Sequence, residues 1–159
     1  EVKGKSLLTY LDKDAENKFT ALYGYWGGGI NITDGKYSYF HYPENFSQQN
    51  PDRYQYTLMP THMRQFFSNE ELQTATLHKP FDFTKDIPLL KINRIERKTD
   101  GGYKGFEDTK SALYNLQNDP GQLTPLEDEK KSNEYQQMMI DIINEYDPPK
   151  ELIKNYFEN

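Results

Sequence analysis

The pair Asp34 and Gly35, set between two alternating runs, constrains the fold of this chain more than any other feature. Ile30, Asn31, Ile32 and Thr33 lie on one side, and Lys36, Tyr37, Ser38, Tyr39, Phe40, His41 and Tyr42 on the other. Side chains along a strand point alternately to opposite faces, so such runs bury one face and leave the other free. Asp followed by Gly supplies the two φ > 0 positions of a type I′ turn. The segment therefore predicts an antiparallel hairpin that ends at Pro43, which cannot donate to a ladder. The aromatic stretch Phe19, Thr20, Ala21, Leu22, Tyr23, Gly24, Tyr25, Trp26 reads as a further strand. Gly27, Gly28 and Gly29 behind it permit a bulge, a sharp bend or close backbone approach.

Weaker signals place the remaining elements. Residues 54–58 read as a short strand interrupted by Pro60. Ser68 with Glu71 three positions on is a capping box, which predicts a helix of roughly two turns ending at Ala75 or Leu77. His78 then falls beyond the helix, where an imidazolium complements the C-terminal dipole. Residues 88–92 and 111–116 read as strands, together a second hairpin with a long connection. Asn118, Asp119, Pro120 and Gly121 form a dense turn signal. Pro125 suits the start of a helix. Tyr135, Met138, Met139, Ile142, Ile143 and Tyr146 then form one apolar stripe. Asp147, Pro148 and Pro149 break it, and residues 150–157 form a short final helix. Strands first and a long helix last predict an α+β fold over residues 1–159. Its expected form is one antiparallel sheet of about four strands packed against a long C-terminal helix.

Composition narrows the function classes. Hydrophobic residues make up only 35% of the chain, carried largely by 13 Tyr, 9 Phe and 1 Trp. Aromatic side chains bury large areas each, so a small core with aromatic faces is expected, some of which pack on a partner. There is no Cys, hence no thiolate nucleophile or thiolate metal site. His41, His62 and His78 lack the spacing of a metal clamp, and no zinc-protease motif, phosphate-binding glycine loop or nucleophile elbow occurs. The carboxylate pairs Glu70 and Glu71, Asp12 and Asp14, and the run Glu127, Asp128, Glu129 read as helix starts or solvated faces. The net charge is −6, with the acidic excess in the last third, which argues against a nucleic-acid partner. No apolar run reaches membrane-spanning length, and no signal-peptide pattern is expected in these residues. Tyr23, Tyr25, Trp26, Tyr37, Tyr39 and Tyr42 offer an alternative reading, a platform on which sugar rings stack in a freestanding carbohydrate-binding module. The competing reading is that these rings alternate between the core and a partly exposed face.

Five segments, in order along the chain, carry a resemblance. Lys5, Ser6, Leu7, Leu8 come first. Ala21, Leu22, Tyr23, Gly24, Tyr25, Trp26, Gly27, Gly28, Gly29, Ile30, Asn31, Ile32, Thr33, Asp34, Gly35, Lys36, Tyr37 follow. Next are Tyr54, Gln55, Tyr56, Thr57, Leu58, Met59, Pro60, Thr61, His62, Met63, then Phe83, Thr84, Lys85 with Pro88, Leu89, Leu90, Lys91, Ile92. Leu113, Tyr114, Asn115, Leu116 with Asn118, Asp119, Pro120, Gly121, Gln122 complete the series. The whole resembles the C-terminal subdomain of bacterial sulfatases, members of the alkaline phosphatase superfamily.

The resemblance implies a four-stranded antiparallel sheet and a long helix beside a separate N-terminal catalytic domain. The family's nucleophile motif, Cys or Ser followed by x-Pro-x-Arg and matured to formylglycine, does not occur in this chain. The family's calcium site belongs to the catalytic domain as well. The expectation is therefore a non-catalytic part with no catalytic residue and no metal ligand of its own; calcium and formylglycine are expected only in the parent hydrolase. Its expected partner is that catalytic domain, with a homodimer through an exposed apolar face as a further possibility. His62, Arg64 and Trp26 are the candidates for contacting a substrate's leaving group in the shared pocket, with a purely structural hydrogen bond as the other role open to His62. The same part of a phosphoester hydrolase would read alike, and a bacterial location, cytoplasmic or periplasmic, is left open.

Overall fold

The computed structural model describes residues 6, 8, 20–24, 29–42, 54–93 and 110–158. Strands β1 (Ala21–Gly24), β2 (Ile30–Thr33), β3 (Tyr37–His41) and β7 (Ala112–Asn115) form a four-stranded sheet in the order β1-β2-β3-β7. Every pairing in it is antiparallel. The helix α2 (Glu129–Asn144) packs on its central strand, and the short helix α3 (Lys150–Phe157) follows. The α+β fold, with a four-stranded antiparallel sheet against a C-terminal helix, is as expected.

The register explains where the core sits. Leu22, Ile32, Tyr39 and Leu113 are partners across all four strands and form one row. Period-two alternation puts this row on one face, together with Tyr37 and His41. Tyr135, Met139 and Ile143 descend α2 at four-residue spacing and are its buried side chains. Ile32, Tyr39, Leu113, Tyr135 and Met139 make the core, with Leu22, Ile30, Tyr37, Met138, Ile142 and Phe157 packed around them. The stripe stops a turn short of its expected length, because Tyr146 is 48% exposed beyond the end of the helix.

The β2–β3 hairpin is present, but not with the two-residue turn expected. Of Asp34 and Gly35 only Gly35 has positive φ, at 84°. Asp34 acts through its carboxylate instead. Its Oδ1 accepts the amides of Lys36 and Tyr37, both at 2.8 Å. Its Oδ2 accepts the hydroxyl of Tyr135 at 2.8 Å. An Asx turn replaces the type I′ turn and pins the hairpin tip to α2.

A second sheet was not foreseen. The strands β4 (Tyr54–Thr57), β5 (Thr76–His78) and β6 (Leu89–Asn93) form an antiparallel sheet in the order β4-β6-β5. The helix α1 (Asn69–Gln73) ends sooner than expected. Thr74 caps it by donating its hydroxyl to the Glu71 carbonyl, and the same oxygen accepts the amide of Asn93 on β6. This draws the following residues, among them β-branched Thr76, into an extended strand. His78 therefore sits in β5, between the Tyr56 and Phe81 rings at 4.9 and 5.0 Å, rather than at a helix terminus. The expected β6–β7 hairpin does not form: β6 pairs with β4 and β5, while β7 pairs with β3. Leu113 is the reason, since only beside Tyr39 does it enter the core. Helix α2 starts at Glu129, not at Pro125, because Asp128 accepts the Lys131 amide at 2.9 Å as its N-cap.

Truncating this core should cost heavily. Met139→Ala and Ile32→Ala are each expected to destabilise the protein by about 2–5 kcal/mol in denaturant unfolding. Phe66→Ala, on a side chain 84% exposed, should change stability by less than about 0.5 kcal/mol.

Candidate functional site

The loop leaving β4 carries two of the three candidate pocket residues. Thr57 shapes its start, its hydroxyl accepting the Met59 amide at 2.9 Å. His62 is then folded back onto α1. Its Nε2–H donates to Glu71 Oε1 at 2.8 Å, and its ring meets the edge of buried Phe67 with centroids 4.4 Å apart. Glu71 Oε2 accepts the Ser68 amide at 2.7 Å, while Ser68 Oγ accepts the Glu71 amide at 3.2 Å. The capping box legible in the sequence is thus extended to a third member. Arg64 lies two residues on and is exposed, flanked by exposed Met63 and Phe66. Trp26 lies outside the described residues.

Electrostatics explain why this arrangement is rigid. Burial pulls the Glu71 carboxyl up, but the Ser68 amide, the His62 imidazole and the Ser68 hydroxyl together outweigh it and hold the group at about 2. A carboxylate that stays ionised down to about pH 2 fixes the His62 ring as a donor. Arg64 follows two residues beyond the braced His62, with its side chain exposed.

A second polar cluster joins the small sheet to α3. Glu151 accepts a hydrogen bond from the Tyr56 hydroxyl and an ion pair from Lys91 Nζ at 2.9 Å. Lys91 also lies over the Tyr54 ring, 3.7 Å from its centroid, a cation–π contact. Burial, then the hydrogen bond to Glu151, raises the Tyr56 hydroxyl to about 12, so it remains a donor at any ordinary pH. Sequence inspection missed this cluster, because its members lie far apart in the chain and no local spacing relates them.

The aromatic hairpin does not make one platform. Tyr39 is buried and Tyr37 packs against Tyr135 on the core side. Tyr23 is on the opposite face, with its hydroxyl 3.0 Å from Ser38 Oγ and its ring edge-on to Phe40. Tyr25 lies outside the described residues. Among the described residues no group of three or more His, Asp or Glu side chains converges as a divalent cation requires. No helix among the described residues is long and apolar enough to cross a membrane. Comparison with protein-family models, with curated proteins and with solved structures yields no match.

Two outcomes check this account. Glu71 has a folded value below its ordinary 4.5, so its contribution is complete above that value and is lost as pH falls toward about 2. Glu71→Gln should therefore cost about 1–3 kcal/mol at pH 7 and flatten the acid limb of a stability–pH curve. Tyr56→Phe should cost about 1–2 kcal/mol in denaturant unfolding and increase amide exchange in residues 150–157.

Proposed function

We propose that this chain is the C-terminal, non-catalytic part of a sulfatase-type sulfuric ester hydrolase, docked on a catalytic domain whose pocket it helps to wall. The observation that carries the reading is the surface around the β4 loop. Leu58, Met59, Met63 and Phe66 are all exposed there, Met63 by 90%. Leu77 on β5 is exposed as well, in register with Leu90 and Thr57 across the small sheet. A cluster of this kind on one loop and the adjoining sheet end is the mark of a surface that meets a partner. Leu58, Met59 and Met63 fall in the segment 54–63, one of those that carry the resemblance, and exposed Arg64 follows directly.

In this reading the apolar side chains seat against the catalytic domain, and Arg64, on a loop braced by His62, faces the substrate's leaving group. The hydrolysis itself, including calcium and formylglycine chemistry, belongs to the catalytic domain. The same surface would pair two copies of the chain when that domain is missing.

The reading predicts that the frame upstream of Glu1 encodes Cys or Ser followed by x-Pro-x-Arg. In that complete hydrolase, Arg64→Ala and His62→Ala should lower kcat/KM on a sulfate ester by roughly tenfold to a hundredfold, the value of a charged hydrogen bond. Unchanged kinetics would remove both residues from the pocket. In the chain alone, Met63→Ser combined with Phe66→Ser should reduce self-association in sedimentation velocity without lowering unfolding stability.

A further inference from the structure

His41 occupies an unusual place for a histidine. It ends the inward-facing series Tyr37, Tyr39, His41 on β3 and is only 7% exposed. Its ring lies flat on Phe157 of α3, centroids 4.8 Å apart and planes within 6°. Its Nε2 is hydrogen-bonded to the Tyr156 carbonyl oxygen, also on α3. A carbonyl only accepts, so Nε2 carries the hydrogen and Nδ1 holds the lone pair of the neutral ring. Nδ1 is buried with no hydrogen-bond partner. Protonation must occur at that nitrogen, and there it would create a buried donor, and a buried charge, with nothing to receive either.

Among the described residues the surroundings offer no compensation. On its own strand the ring meets Tyr39 at 6.1 Å; across the ladder it is paired with Ile30 of β2; on α3 it meets Tyr156 and Phe157. Tyr39 and Tyr156 are the titratable groups among these contacts, and no Asp, Glu, Lys or Arg of the described residues pairs with the imidazole. Burial accordingly pushes the His41 imidazole below its ordinary 6.5, and the Tyr156 carbonyl offsets this only in part.

Helix α3 reaches the core through Phe157, the same ring that stacks on His41. None of its residues is fully buried. A further polar anchor of α3 is Glu151, on Lys91 and Tyr56. That carboxyl is held below the ordinary carboxylate range: burial opposes this, but Tyr56 and Lys91 prevail, so it stays ionised where histidines titrate. Beneath α3 lies an open apolar groove of about 310 Å³. Leu22, Gly24 and Ile30 of the large sheet and Ile143 of α2 line it opposite Leu152 and Tyr156 of α3.

We propose that α3 is an acid-released clasp, docked by neutral His41 and freed when His41 takes up a proton, and that its release uncovers the apolar groove. The direction follows from linkage. A histidine kept neutral by burial binds its proton more weakly docked than undocked, so the undocked state takes up the proton first. Docking is complete above about 6.5 and weakens as pH falls through the range below it. A single proton limits the response to tenfold per pH unit. The inference is independent of the hydrolase reading.

The test is amide hydrogen exchange on the whole chain between pH 7.5 and 4.5, with rates normalised for intrinsic pH dependence and referred to α2. Protection of residues 150–157 should fall by up to tenfold per pH unit from about 6.5 down to the pH at which His41 titrates in the docked chain and level off below it, while the β2–β3 amides stay protected. The levelling-off should coincide with the His41 ring-proton titration followed by NMR. His41→Phe keeps an aromatic ring on Phe157 without a titrating nitrogen, and should abolish the pH dependence. Phe157→Leu, which opens the stacked face to water, should move the transition to higher pH. Protection of α3 that does not vary with pH in the native chain would overturn the proposal. So would an unchanged transition in His41→Phe, or in Phe157→Leu should the first variant fail to fold.

Discussion

Met139 lies with none of its surface exposed over a row of four side chains, Leu22, Ile32, Tyr39 and Leu113, one from each strand of the large sheet. The rest of the arrangement depends on this contact. A one-residue slip of β3 would turn Tyr37, Tyr39 and His41 outward and bring Ser38 and Phe40 onto α2. The row therefore fixes register, and register fixes which aromatic rings are core and which are surface. It also draws in β7, far along the chain, because Leu113 completes the row. Asp34 reinforces the same contact from the hairpin tip by accepting the Tyr135 hydroxyl.

The two sheets are joined by side chains of a helix that is itself poorly buried. Phe157 and the Tyr156 carbonyl engage His41 on the large sheet, and Glu151 engages Lys91 and Tyr56 on the small one. Stacking and charge-assisted hydrogen bonds do here what apolar burial does under α2. Such contacts respond to protonation, whereas buried methyl groups do not. The chain thus combines an apolar core under α2 with a terminal helix whose attachment depends on pH.

The candidate site was half legible. Ser68 and Glu71 stand out in the sequence because a capping box is a local device with fixed spacing. That His62 would become its third member was not readable, because Pro60 and the loop decide how residues 58–66 fold back. Arg64 and His62 were singled out together, yet they play different parts: one is exposed, the other braces the loop. His41 carried a usable signal, since alternation from Tyr39 places it on the core face, but nothing local names Phe157 as its partner.

The amino-acid sequence by itself determined the hairpin between β2 and β3, the strands at residues 54–57, 89–93 and 112–115, the cap of α1, the stripe of α2 and the short final helix. Each rests on interactions within a few residues: alternation, capping and periodicity. Tertiary structure alone decided that β6 pairs with β4 and β5, that residues 76–78 leave the helix to become a strand, and that the Asp34 carboxylate also takes the Tyr135 hydroxyl. Each of those outcomes depends on a partner distant in sequence: Asn93 for Thr74, Tyr135 for Asp34, Leu113 for Tyr39. Local patterns state what a segment prefers, and burial against a distant partner settles which preference is met.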